Sequence, residues 1–202
     1  MKKIALSLVA VVILFCYVTP ARATFINSTT GISNPARTIT FDEHVFPDRY
    51  LLTSEYQDLG VIFSTTLYYN SLPYPAPNQI PPQVENFNTL GGLINPFSIK
   101  FTIPQTSAAF SLITNETTTN FIALLNNVEV DSGSTTTSLF QANNFFGFAG
   151  IIFDEIKVFV TGNDGVAAID NIQLSKVPEP ITLLFLFSTL TGLVGLARKF
   201  KN

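Results

Sequence analysis

The chain contains no tryptophan, one histidine (His44) and one cysteine (Cys16), and only 12% of its residues are charged. Cys16 lies within an N-terminal apolar run that has the pattern of a removable leader. The remaining chain is then free of thiols, which excludes disulfide stapling, thiolate catalysis and cysteine-ligated metal together. Phe15 precedes that cysteine, where an acylation signal wants Gly or Ala, so a lipid anchor there is not expected. A single histidine excludes sites that need two or more. Without tryptophan the best ring for stacking a sugar is missing, and any such platform must rest on tyrosine or phenylalanine. No long amphipathic helix, internal repeat or linker interrupts the middle of the chain.

The two ends carry the strongest signals. Lys2 and Lys3 precede an apolar run from Ile4 to Val18, and Ala21-Arg22-Ala23 places small residues where a signal peptidase needs them. This pattern predicts a signal peptide over 1–23, cleaved before Thr24. At the other end, Val177-Pro178-Glu179-Pro180 leads into an uncharged stretch from Ile181 to Ala197, followed by Arg198, Lys199 and Lys201. As a helix those 17 positions would extend roughly 25 Å, enough to cross a bilayer core. Cations after such a segment resist translocation, so they should stay cytoplasmic while everything before Val177 faces outward.

A leader, Val177-Pro178-Glu179-Pro180, an apolar helix containing Gly192 and Gly195 and a basic end, in that order, resemble the PEP-CTERM family of exported bacterial surface proteins. The resemblance covers only the tail, 177–202, and this chain has Arg198-Lys199-Phe200-Lys201 where the family usually runs arginines. It implies processing by a signal peptidase and an exosortase-type enzyme, and association with exopolysaccharide or biofilm. The alternative is a single-pass anchor that is never cut. The Leu-Pro-x-Thr-Gly signal of Gram-positive sorting and the small-residue site of a glycolipid anchor are both missing from this tail.

Residues 24–176 have the size of one domain with a continuous core. Five basic residues there face thirteen acidic ones, a formal charge of −8. Such a surface suits divalent cations or neutral glycans and is poorly matched to nucleic acid or anionic lipid headgroups. Its periodicity is that of strands. In Ser98-Ile99-Lys100-Phe101-Thr102-Ile103 apolar and polar residues alternate, which predicts Ile99, Phe101 and Ile103 inside and Lys100 in water; 37–41 alternates likewise. Further β-rich runs cover Leu59 to Tyr69, Ala108 to Thr114, Phe121 to Asn126, Val128 to Asp131, Thr136 to Gln141, Gly150 to Val160 and Val166 to Leu174. Turn formers separate them at Asn126-Asn127, Asp131 to Ser134 and Thr161 to Gly165, the last holding an Asp-Gly pair suited to a tight hairpin. These features predict an all-β, antiparallel β-sandwich, a jelly roll.

Several residues are candidates for a site. The proline-rich stretch 72–82 reads as a long surface loop. Tyr68, Tyr69 and Tyr74 beside it are candidate sugar contacts; alternatively the loop covers a sheet edge with its tyrosines half buried. Strand alternation turns Glu43 inward and puts Asp170 on the face of Val166, Ala168, Ile172 and Leu174. A buried carboxylate needs a partner. If the first and last strands are neighbours, Asp42 or Glu43 with Asp170 could hold a structural Ca²⁺. The alternative is Asp170 bonded to backbone amides on a bulged strand, with Glu43 in solvent.

No enzyme is expected. His44 beside Asp42 has no nucleophile elbow to serve, and the acid pairs Asp42-Glu43 and Asp154-Glu155 need not converge as glycoside hydrolysis demands. Thr117 to Thr119 and Ser134 to Ser138 are β-formers or glycan acceptors. Asn27-Ser28-Thr29 and Asn115-Glu116-Thr117 match the eukaryotic N-glycosylation pattern by chance in a bacterial setting. Phe145, Phe146 and Phe148 read as core, or as a self-association patch if exposed. The functional expectation is a non-enzymatic surface or matrix protein. The alternatives are a carbohydrate-binding module with structural calcium and, third, a surface glycosidase.

Overall fold

The computed structural model describes residues 23–64, 67–71, 76–80, 82–86, 96–161 and 167–175. Residues 1–22 of the expected leader, Tyr74, the expected turn at Asp164-Gly165 and the tail with its expected helix lie outside them. The described strands are β1 (Thr24–Ser28), β2 (Arg37–Ile39), β3 (Leu51–Leu52), β4 (Val61–Phe63), β5 (Leu67–Asn70) and β6 (Gln83–Asn86). They continue with β7 (Phe97–Ile113), β8 (Thr117–Leu125), β9 (Val128–Thr137), β10 (Phe145–Val160) and β11 (Ala167–Leu174). Every pairing among them is antiparallel. A 3₁₀ turn at Gln57–Leu59 is the one helical element among the described residues.

β7 and β10 organise the sheet because both are long enough to serve two neighbourhoods. Their outer halves, Phe145 to Ala149 against Ser107 to Ser111, continue to β1 on one side and to β11, β6, β5 and β3 on the other. The remaining halves, Glu155 to Val158 against Phe97 to Lys100, continue to β8 and β9 and to β4. Between these halves the register breaks twice, first between Ala149 and Phe153 and again between Phe153 and Glu155. Extra residues at these bulges bend both strands, and the two halves turn toward each other. Phe25 of β1 thereby reaches Phe121 of β8 at 5.3 Å, and Phe121 stacks on Phe146 at 5.0 Å. Phe110, Phe121, Phe146, Phe148 and Phe153 are fully buried, each contributing about 2–3 kcal/mol of transfer free energy. Phe145, Phe146 and Phe148 are thus core.

The bend also explains one failure of alternation. Ile99 and Phe101 are buried and Lys100 is exposed as expected, but Ile103 is 54% exposed. Pro104 follows it, and the chain bulges there instead of continuing flat. The run from Leu59 to Tyr69 is two strands. Gly60 at φ 106 stops the 3₁₀ turn, β4 pairs with β7, and β5 pairs with β6. Asp131 to Ser134 forms no turn but lies within β9, whose hairpin closes at Asn126 and Asn127, both with positive φ. β9 ends at Thr137, short of Gln141.

Candidate functional site

Strand alternation separates the two described tyrosines of the expected sugar platform. Tyr69 points inward and is buried, its ring 5.6 Å from Phe46, while Tyr68 lies on the opposite face, partly exposed. Burial raises the Tyr69 hydroxyl above its usual pKa, against a hydrogen bond to the Phe46 backbone and with the Asp42 charge adding to the rise. Tyr68 and Tyr69 therefore do not share a sugar-facing surface. This corrects the expectation for Tyr69.

The exposed aromatic face comes from an irregular segment instead. Between β2 and β3 the chain runs from Thr40 to Tyr50 without regular structure, and two bulky residues there adopt left-handed backbone, Phe41 at φ 65 and Arg49 at φ 63. Such conformations cost on the order of 1 kcal/mol or more each, and packing has to hold them. Phe41 is fully buried against Tyr56 and Phe63. The Tyr56 hydroxyl lies 3.1 Å from the carbonyl oxygens of both Phe41 and His44 and donates to them. Burial pushes that hydroxyl's pKa upward, and the charges of Tyr69, Glu43, Asp42 and Glu55 add to it.

On this base Phe46 is stacked beneath Tyr50, with ring centroids 4.9 Å apart and planes inclined by 15°. Tyr50 is 41% exposed. Polar groups flank the stack: Asp48 accepts from the Ser71 amide and hydroxyl, and Arg49 Nε lies 3.9 Å from Asp48 Oδ2. Periodicity could not find Tyr50, because the segment has none. The cue in the sequence is the density of rings, Phe41, Phe46 and Tyr50, around Pro47.

The acidic candidates occupy separate roles. β2 and β11 are indeed neighbours, with Ile39 opposite Ile172. β2 stops at Ile39, however, and the left-handed Phe41 turns the chain, so Glu43 does not face inward. It is exposed, and its Oε1 accepts from the amide and hydroxyl of Thr40. Asp42 is also exposed. Asp170 is buried and uses both oxygens on backbone amides, Oδ2 on Ile80 at 2.8 Å and Oδ1 on Asn171 at 2.6 Å. Asn171 has φ 52, and the β11–β7 register slips just after Asp170. Burial raises the Asp170 carboxyl to about 7; the two amides pull it down, and Asp42 and Glu43 push it up. Among the described residues no group of three or more His, Cys, Asp or Glu is placed to hold a metal ion.

Asp170 anchors a polar clamp on the segment Ala76 to Ile80. Gln79 Nε2 donates to Ser111 Oγ, and Ser111 Oγ lies 2.8 Å from the Asn78 carbonyl oxygen, which it bonds. Asn171 Nδ2 donates to that carbonyl as well. Asn78 Nδ2 donates to Asn144 Oδ1, and Asn144 Nδ2 to the Pro77 carbonyl. Part of the proline-rich stretch is therefore pinned to the sheet.

His44 pairs with Asp58, not Asp42, at 3.3 Å. Asp154 accepts from the Asn126 amide at the hairpin turn, whereas Glu155, nearly buried, lies 3.4 Å from Lys100 of the facing strand. Both line a hollow of about 350 Å³ with Gln57, Thr102 and Asn127. Thr119 and Thr137 of the threonine clusters are buried, their hydroxyls bonded to each other at 2.7 Å, and so are not glycan acceptors. Ala23 is exposed immediately before β1; Ala21 lies outside the described residues. Among the described residues no helix is long and apolar enough to cross a membrane. The chain matches no protein-family model, no curated protein and no solved structure.

Proposed function

We propose that this chain is an exported bacterial surface or matrix protein, with a structural or adhesive role in an exopolysaccharide or biofilm setting. We read its two facing sheet halves as a β-sandwich of the jelly-roll kind. One observation carries the proposal: the order of Lys2-Lys3, apolar run and Ala21-x-Ala23, then a β domain, then Val177-Pro178-Glu179-Pro180, apolar run and basic end. Its processing partners are a signal peptidase and an exosortase-type enzyme, and the tail holds it in the membrane until cut. Mass spectrometry of the native protein from cells and medium tests this. The expected product begins at Thr24 and ends near Pro180; a full-length chain recovered from the cytosol overturns the proposal.

Glycan binding is a second reading, supported by the Tyr50–Phe46 stack and its polar flank. A ring fixed from beneath and open above offers its face to the C–H groups of a pyranose, and Asp48, Arg49 and Ser71 supply hydrogen bonds at its edge. Calcium is not required in this reading, since Asp170 spends both oxygens on amides. On an array of neutral polysaccharides, Tyr50→Ala is expected to abolish binding and Tyr50→Phe to retain most of it. Equal binding by Tyr50→Ala and the parent protein removes this reading.

A further inference from the structure

Both chain ends of the described domain leave from one row, midway along β7 and β10. Thr24 is opposite Ala149, Ala149 is opposite Ser107, and the Ser175 amide donates to the Ser107 carbonyl at 3.0 Å. The first residue of β1 and the residue after β11 therefore stand in one row across β1, β10, β7 and β11. Three strand spacings separate them, about 14 Å. From Ser175 to Ile181, and from Val18 to Thr24, the chain has six residue steps, which reach no more than about 20 Å when fully extended.

That row lies at the bend. Gly150, Ile151 and Ile152 bulge from β10 where Ala149 pairs with Ser107 and Phe153 with Gln105. Phe101 to Pro104 bulge from β7 where the next pair is Glu155 with Lys100. Ile103 and Ile152 are each more than half exposed there, and Ile103 lines a hollow together with Leu174 and Ser175. The other end of these strands carries Ile113, Phe145 and the segment with the exposed Phe140. From Ser107 to Ile113 that end is about 20 Å farther along the strand.

We infer that the exported precursor stands on the bilayer by its bend, with leader and tail entering the same membrane side by side and the Phe140 end pointing away. The inference rests on the proposed reading of the two termini as membrane segments. Two stems of six residues, anchored only about 14 Å apart, leave the domain little freedom to tip over. Ile103 and Ile152 then meet the headgroup layer. Asp58, Asp154 and Glu155 lie at the same end with Arg37 and Lys100, a mixed and slightly acidic set, so the fitting surface is a zwitterionic lipid and not a strongly anionic one. The cutting point before Thr24 stands at this same end.

The absence of tryptophan makes the test clean. Three full-length variants, Ile103→Trp, Ile152→Trp and Phe140→Trp, are reconstituted into phosphatidylcholine vesicles containing nitroxide-labelled lipid. All three positions are exposed, so the substitutions leave the core intact. The expected result is loss of emission from the probes at 103 and 152 and retention at 140. Quenching at 140 equal to that at 103 and 152, in protein that floats with the vesicles, overturns the orientation alone. Protein that fails to float with vesicles overturns the membrane reading of the termini, and the orientation falls with it.

Discussion

Gly147→Ala is expected to cost about 4 kcal/mol or more, enough to leave little folded protein in a domain of ordinary stability. Gly147 sits in β10 between Ile26 of β1 and Ala109 of β7. A β-carbon there would lie 2.0 Å from the Ala108 carbonyl oxygen and 2.7 Å from the Ala109 Cα. Both are backbone atoms of the strand that organises the sheet, so no rotamer can relieve the overlap. β10 would have to part from β7, between the fully buried Phe146 and Phe148. Gly133→Ala provides the contrast. Its β-carbon would first meet the ring of Phe25, at 2.4 Å, and that side chain, packed on Phe121 and Phe148 from an edge strand, can shift where a backbone cannot. That change is expected to cost about 1–2 kcal/mol. Urea unfolding followed by circular dichroism measures both; a Gly147→Ala midpoint as high as that of Gly133→Ala disproves the close approach.

Asp170 is expected to make the domain less stable as pH rises from 4 to 7. Burial lifts its carboxyl from 3.8 to about 7 in the folded protein, so between those values the folded state keeps a proton that the unfolded state has lost. Stability falls with pH wherever the folded state binds more protons, and the contribution is lost through the folded value. A shift of this size corresponds to about 4 kcal/mol across the window. The groups that set it are the desolvated site itself, the Ile80 and Asn171 amides, and the nearby charges of Asp42 and Glu43. Asp170→Asn cannot ionise and should flatten the pH dependence of the urea midpoint between 4 and 7. It also turns an amide N–H₂ toward one of the two backbone donors, so its stability at pH 4 should be lower than the parent's by about 1–3 kcal/mol. An unchanged pH slope in Asp170→Asn assigns the dependence to other groups.

The strand regions were legible where a residue's surroundings follow its neighbours in the chain. Ile99 and Phe101 alternate inward with Lys100 outward, the 121–125 and 108–113 segments are strands, and Asn126-Asn127 is a turn because both residues tolerate positive φ. The reading of Asp170 bonded to amides on a slipped strand beside an exposed Glu43 agrees with the structure, and β2 and β11 do lie side by side. Legibility stopped at the bends. Ile103 obeys the same local pattern as Phe101, yet the bulge beside Pro104 turns it out. Ser132 and Gly133 look like a turn, but pairing with β8 and the ring of Phe25 keep them extended.

The candidate site shows the same division. Tyr68 and Tyr69 looked interchangeable as sugar contacts, whereas their strand shows one ring to solvent and gives the other to Phe46. Tyr50, an exposed ring backed by another, lies where no repeat exists to read.

Composition and alternation by themselves determined a β-rich chain whose one cysteine lies in the N-terminal apolar run, with its acids concentrated in the middle and its apolar runs at the ends. These properties follow from residue type and from the two-residue period of a strand, both of which are local. Only the tertiary structure decided that both ends leave from one row, that Asp170 is shut away with two amides, and that Tyr50 lies on Phe46. Each depends on where β7 and β10 bend and on what packs across them, and contacts between residues far apart in sequence leave no periodic trace.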